Sequence, residues 1–108
     1  MLTRQQAKDI LVDILNSVKA AELTDEVIIE AMDEAGNDML KRMQLVYPLY
    51  CKIQMEVLYE HGYAKDANGL IRFAQEICNL EKSHDDVRQL NRELKSHFIP
   101  PLSQDLTS

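Results

Sequence analysis

Tryptophan is absent from this chain of 108 residues, and glycine and proline occur three times each. A sandwich or barrel of short strands needs a turn about every ten residues, mostly built on glycine or proline, so this scarcity excludes a turn-rich β architecture and points to helix. Cysteine occurs only at Cys51 and Cys78, without the spacing of a disulfide framework or a zinc site. Both fall in phase with apolar helical neighbours, and they read as buried, reduced thiols of a reducing compartment. No apolar run approaches the ~18 residues that span a bilayer. The first residues, Met1 to Gln6, lack the apolar stretch of a secretory signal. The expected location is cytoplasmic. Basic charge is also short: 12 Lys and Arg face 18 Asp and Glu, for a net charge of −6. Lys41-Arg42 is the only basic pair, and Glu34 and Asp38 precede it on neighbouring helical turns. Neither a nucleic-acid partner nor an anionic membrane fits that distribution.

What is present is a helical pattern that spans nearly the whole chain. Thr3 and Gln6 have capping-box spacing. Ala7, Ile10, Leu11, Ile14, Leu15 and Val18 then mark one face of a helix. Thr24 is expected to open a second helix, with Asp25 and Glu26 in its first turn. Its apolar steps run through Val27, Ala31, Ala35, Met39, Met43, Val46, Tyr50, Ile53 and Val57. Gly36 weakens that run by ~1 kcal/mol. Pro48 interrupts it, because it lacks a donor and clashes with the carbonyl four residues back, at Gln44. The expectation is one helix over about 25–61, kinked near Pro48, or two helices meeting there. The unbroken phase favours the kink. His61-Gly62 supplies the stop, and residues 66–69 read as a turn. Leu70, Phe73, Ala74, Ile77 and Cys78 define the next helix. Ser83 or Asp85 caps a last one, striped by Val87, Leu90, Leu94 and Phe98 and stopped by Pro100-Pro101. The fold class is therefore all-α: an antiparallel bundle of four to five helices with a long, kinked central helix. It forms a single domain over residues 1–99, followed by a Pro-initiated tail over 100–108.

Few residues invite chemistry. Glu81 and His84 have the Glu-x-x-His spacing of di-iron bundles, but those need a second copy, and Leu58 and Leu94 stand three before His61 and His97. Glu93 and His97 are spaced for an i, i+4 contact. Thiols in an apolar phase disfavour the thiolate, and no glycine-rich loop is present to cradle phosphate. No catalytic residue, cofactor or metal is expected. The interaction candidates are Tyr47, Pro48 and Tyr50, where a kink could form an aromatic-walled groove, and Phe98, Ile99, Pro100, Pro101 and Leu102. This last segment is apolar and favours polyproline II geometry.

The ordered set Met32-Asp-Glu-Ala35, Asn37-Asp-Met39, Gln44, Val46, Pro48, Ile53-Gln54 and Glu56-Val57, with Gly62, Gly69, Phe73-Ala74 and Phe98-Ile-Pro-Pro101, resembles the small eukaryotic family called protein C-ten. The resemblance covers about residues 5–102, with a small length difference before the second helix. It departs at Cys51 and Cys78, positions not associated with cysteine in that family. It implies a cytoplasmic protein without assigned enzymatic activity, cofactor or catalytic residue, whose vertebrate members are associated with brain development.

Together these readings predict a non-catalytic protein–protein interaction module, an adaptor or a subunit of a larger assembly, with a protein partner. The alternatives are a self-associating structural protein that pairs through the Val87, Leu90, Leu94, Phe98 stripe, and, behind it, a metal-carboxylate enzyme.

Overall fold

Thr3 sets the start of the fold. Its hydroxyl accepts from the Gln6 amide at 3.1 Å while the Gln6 side chain accepts from the Thr3 amide at 3.0 Å, the reciprocal cap that the sequence predicts. In the computed structural model, which describes residues 2–97, the helix that follows is α1, Arg4–Thr24. All six apolar residues of its expected face are buried. Among the described residues there is no strand, and five helices of ten or more residues form an all-α bundle. The expected tail over 100–108 lies outside the described residues, as do Phe98, Ile99, Pro100, Pro101 and Leu102.

Thr24 does not open the second helix. It is the last residue of α1, and its hydroxyl donates to the Ala20 carbonyl at 2.8 Å. Asp25 is the cap, its carboxylate accepting from the Val27 and Ile28 amides ahead of α2, Glu26–Ala35. The long run expected over 25–61 is divided at Gly36, whose φ of 53° and ψ of −128° belong to glycine alone. A new start is available there, because the Asp38 side chain accepts from the Lys41 amide and caps α3, Met39–Lys41. From Asp38 the chain is helical without a break. A π turn over Arg42–Val46, in which the Tyr47 amide donates five residues back to the Arg42 carbonyl, leads into α4, Tyr47–Glu60. Pro48 lies in the first turn of α4. The wider turn before it is the local adjustment that lets a proline sit in a continuing helix.

The end of α4 follows the sequence reading. Gly62, with φ of 94°, donates to Tyr59, and the Tyr63 amide donates to Leu58, which together make a Schellman stop. Residues 66–69 are not a free turn. Asp66 caps α5, Ala67–Glu81, accepting from the Asn68 and Gly69 amides. The last helix, α6, is Asp85–Ser96, and neither Ser83 nor Asp85 caps it. His84 occupies that position without a side-chain bond, while Asp85 and Asp86 fill the first turn.

Cross-helix polar contacts give the helix directions. Asp13 of α1 meets His61 at the end of α4, and Glu22 meets Tyr50 nearer its start, so α1 and α4 are antiparallel as expected. Arg4 and Lys8 meet Asp86, whereas Lys19 meets Glu93 and Glu22 meets His97, so α1 and α6 run in the same direction. The core contains Leu11, Ile14, Val18, Val46, Tyr50, Leu58 and Val87, all fully enclosed. Val87 and Leu94 of the narrow stripe are spent inside the molecule.

Asp86 joins the two ends of the sequence. It takes Arg4 at 2.6 Å and Lys8 at 3.2 Å, and the hydrogen bond from Arg4 holds its carboxyl well below the usual range. A carboxylate whose pKa is depressed on folding contributes stability above its unfolded-chain value, about 4, and loses that contribution as pH falls through the lower folded value. Asp86→Asn is therefore expected to lower the urea midpoint at pH 7. The gap from the unaltered protein should narrow steadily below about pH 4; a gap independent of pH would show that the ion pair is not its source.

Candidate functional site

Two concave surfaces compete for the role of site. The first, about 260 Å³, lies between the start of α1, the end of α4 and α5, and is lined by Asp9, His61, Tyr63, Arg72 and Glu76. Beside it, His61 Nε2 approaches the Asp13 carboxylate at 2.7 Å. An imidazole oriented by a carboxylate has the arrangement of a general base, but a base needs a nucleophile or substrate proton within reach. Among the described residues, no Ser, Thr or Cys lines this cleft. The Asp13 side chain is 56% exposed, so the pair is a solvated surface contact. Tyr63 has its own partner: its hydroxyl donates to Glu76 at 2.6 Å, and burial and that bond push the phenol well above its ordinary range.

The second surface is a groove of about 350 Å³ between the π turn, α4, α5 and α6. Met43 and Tyr47 form one wall, Ala74 and Cys78 of α5 another, and Leu94 and Lys95 the third. The π turn places Met43 there. Met43 is 44% exposed although it shares the sequence phase of buried Val46, because a five-residue turn shifts the helix face between them. Ala74 and Cys78 are exposed, contrary to the expectation of a buried Cys78. They are in phase with Phe73 and Ile77, but α6 covers only part of that face, leaving them at the groove.

The residues singled out at the proline separate. Tyr47 lines the groove and is half-buried; Pro48 is exposed; Tyr50 is fully enclosed. Tyr50 instead anchors a polar cluster. Its hydroxyl donates to Glu22 at 2.6 Å and contacts Met32 Sδ at 3.5 Å, while His97 Nδ1 meets the same carboxylate at 3.0 Å. Burial, reinforced by Glu22, pushes the Tyr50 phenol well above its ordinary range. The expected Glu93–His97 contact is replaced by these cross-helix pairs: Glu93 takes Lys19 at 3.2 Å and His97 takes Glu22. Glu93 and His97 each have a partner on α1 that sequence spacing along α6 does not display.

Around the groove the chemistry is weak. Cys51 sits beside Tyr47, where burial pushes its thiol up, the reverse of what a nucleophilic thiolate requires. Glu81 accepts from Asn91 at 3.1 Å. Among the described residues no three His, Cys, Asp or Glu side chains converge as metal ligands, and no helix is long and apolar enough to cross a membrane. The arrangement suits an apolar side chain entering the groove, with Lys95 and Glu81 at its rim.

Comparison with known proteins adds a family. The family model described as Protein C10 matches residues 3–108. The chain is 34% identical over 101 residues to Protein C10 of Xenopus laevis, an alignment covering 94% of this chain and 78% of that one. It is 33% identical over 102 residues to Protein C10 of Homo sapiens, covering 94% and 80%, and 32% identical over 102 residues to that of Danio rerio, covering 94% and 83%. No solved structure matches the chain.

Proposed function

This chain belongs to the Protein C10 family, and from that membership and the surface just described we propose that it is a non-catalytic protein–protein interaction module, an adaptor or a subunit of a larger assembly. One observation carries the reading: the α4–α5–α6 groove leaves Met43 and Ala74 exposed and Tyr47 half-buried, all three outside the set of fully buried core residues. An aromatic and an adaptable thioether at the edge of a preformed groove are the materials of a binding anchor site. The cytoplasm is the compartment we assign, supported by two cysteines that are both free, one of them exposed.

Self-association through the α6 stripe has less support, because Val87 and Leu94 already face the core. The test of the adaptor reading is affinity capture from native lysate with the unaltered protein and with Ala74→Glu. That change places a charge in the groove at an exposed helical position and leaves the core untouched. The expected result is a stoichiometric partner lost with Ala74→Glu, whose circular dichroism and urea midpoint stay those of the unaltered protein. A partner held equally by both removes the groove from the interface. No partner with either, together with a monomeric mass by light scattering, sinks the adaptor reading.

A further inference from the structure

The outer face of α2 is built differently from the rest of the surface. Ile28 and Ala35 are buried. At about 100° per residue, their burial turns Asp33, Glu26, Glu30 and Glu34 outward as one ridge, with Ile29 on one flank and Val27 on the other. Ile29 is 40% exposed and Val27 61%. From Glu22 to Asp38 the chain holds seven carboxylates and no Lys, Arg or His. Several acids elsewhere are met by cations: Asp86 by Arg4 and Lys8, Glu93 by Lys19, Asp85 by Arg88, Glu76 by Arg72. Among the described residues, no ion pair reaches Glu26, Glu30, Asp33 or Glu34.

A depression of about 380 Å³ opens on the Ile29 flank, with Ile29 and Met32 as its apolar surface and Glu22, Glu30 and Asp33 around them. Glu22 is already engaged by Tyr50 and His97. Glu30 and Asp33 are thus the charges left to meet a partner. Exposed apolar side chains interleaved with uncompensated acids repel a second copy of this same face, and they repel any acidic partner. They match a segment that carries basic groups and bulky apolar groups together.

On the reading that this chain acts by binding protein, we propose that the α2 face docks a cationic amphipathic helix, with Lys or Arg against Glu30 and Asp33 and an apolar side chain in the Ile29–Met32 depression. Attraction of opposite charge speeds encounter and fixes orientation, while the apolar anchor supplies the slow dissociation. The mode is a helix laid on a groove, with the charge pattern as its filter.

The test is a titration of the full chain, labelled with nitrogen-15, using a synthetic helix-forming peptide of leucine and lysine at about 0.15 M salt. Two control peptides accompany it, one with serine in place of leucine and one with glutamate in place of lysine. Amide shifts should be confined to α2 and the end of α1. The double variant Glu30→Gln/Asp33→Asn should weaken binding about tenfold, and neither control peptide should bind. No binding of the leucine–lysine peptide, equal binding of the serine–lysine peptide, or shifts mapped away from α2 would each overturn the assignment. If the peptide is silent at α2 while a lysate partner is still lost with Ala74→Glu, this inference fails alone. If both are silent, the interaction role fails with it.

Discussion

Tyr50→Ala is expected to lower folding stability by about 4 kcal/mol, a large share of the roughly 5–15 kcal/mol that holds a domain together. Tyr47→Ala, three residues earlier, should cost only about 1 kcal/mol. The ring of Tyr50 is fully enclosed, so its removal opens a cavity in the core. It also withdraws the hydroxyl that donates to Glu22, leaving a part-buried carboxylate with His97 alone. Tyr47 is only half-buried at the edge of the groove, so its loss opens no enclosed cavity. Urea denaturation of the two variants makes the comparison. Equal midpoints would mean that Tyr50 is not the core element described. The two tyrosines should also part in binding: Tyr47→Ala is expected to lose a groove partner while remaining folded, and Tyr50→Ala to lose it only together with the fold.

Gly69→Ala is expected to be nearly as damaging for a different reason. A Cβ built there would overlap the carbonyl oxygen of Ala64, a backbone atom that cannot swing aside. Relieving the overlap means moving the start of α5 away from the segment that joins it to α4, at a cost of about 3 kcal/mol. Gly62 makes the useful comparison. Nothing lies within 4 Å of its Cβ position, but its φ of 94° is one that L-residues avoid, so Gly62→Ala should cost about 1–2 kcal/mol through backbone strain alone. Thermal unfolding ranks the two. An unchanged transition for Gly69→Ala would show that the Ala64 carbonyl has room to retreat.

How much of this was legible before the fold was known depended on where the helical phase stayed intact. Along α1 the spacing predicted all six core residues and both halves of the cap, because nothing interrupts its 3.6-residue period. From Met39 to Val57 the same rule misplaced residues. Met39 and Met43 continue the sequence phase of Val46 and Tyr50 yet are 40% and 44% exposed. A π turn is defined by a backbone bond to the fifth residue back, and side-chain spacing carries no mark of it. By propensity Gly36 is only a weakness in one long helix, whereas its positive φ, followed by the Asp38 cap, divides the run. The candidate site suffered similarly. Spacing singles out Tyr47, which lines the groove, but puts Ala74 and Cys78 in phase with the core, since groove and core share one periodicity. Sequence spacing does not display the α2 ridge; only the burial of Ile28 and Ala35 shows that the acids and the exposed apolar residues lie on one face.

The π turn at Arg42–Val46 also has a geometric meaning as a gear. A five-residue turn carries one residue more than a four-residue turn over the same advance, so the segment before it is rotated by about 100° against the segment after it. That offset is why Met39 and Met43 face solvent while Val46 and Tyr50 face inward. Arg42, first in the turn, joins the bend before it to the end of α6: its guanidinium donates to the Gly36 carbonyl at 3.3 Å and to the His97 carbonyl at 2.7 Å. Winding that residue out would bring the two methionines round toward the side where Tyr50 lies. The orientation of an exposed methionine pair, the bend at Gly36 and the end of α6 are therefore settings of a single rotation, meshed through one arginine.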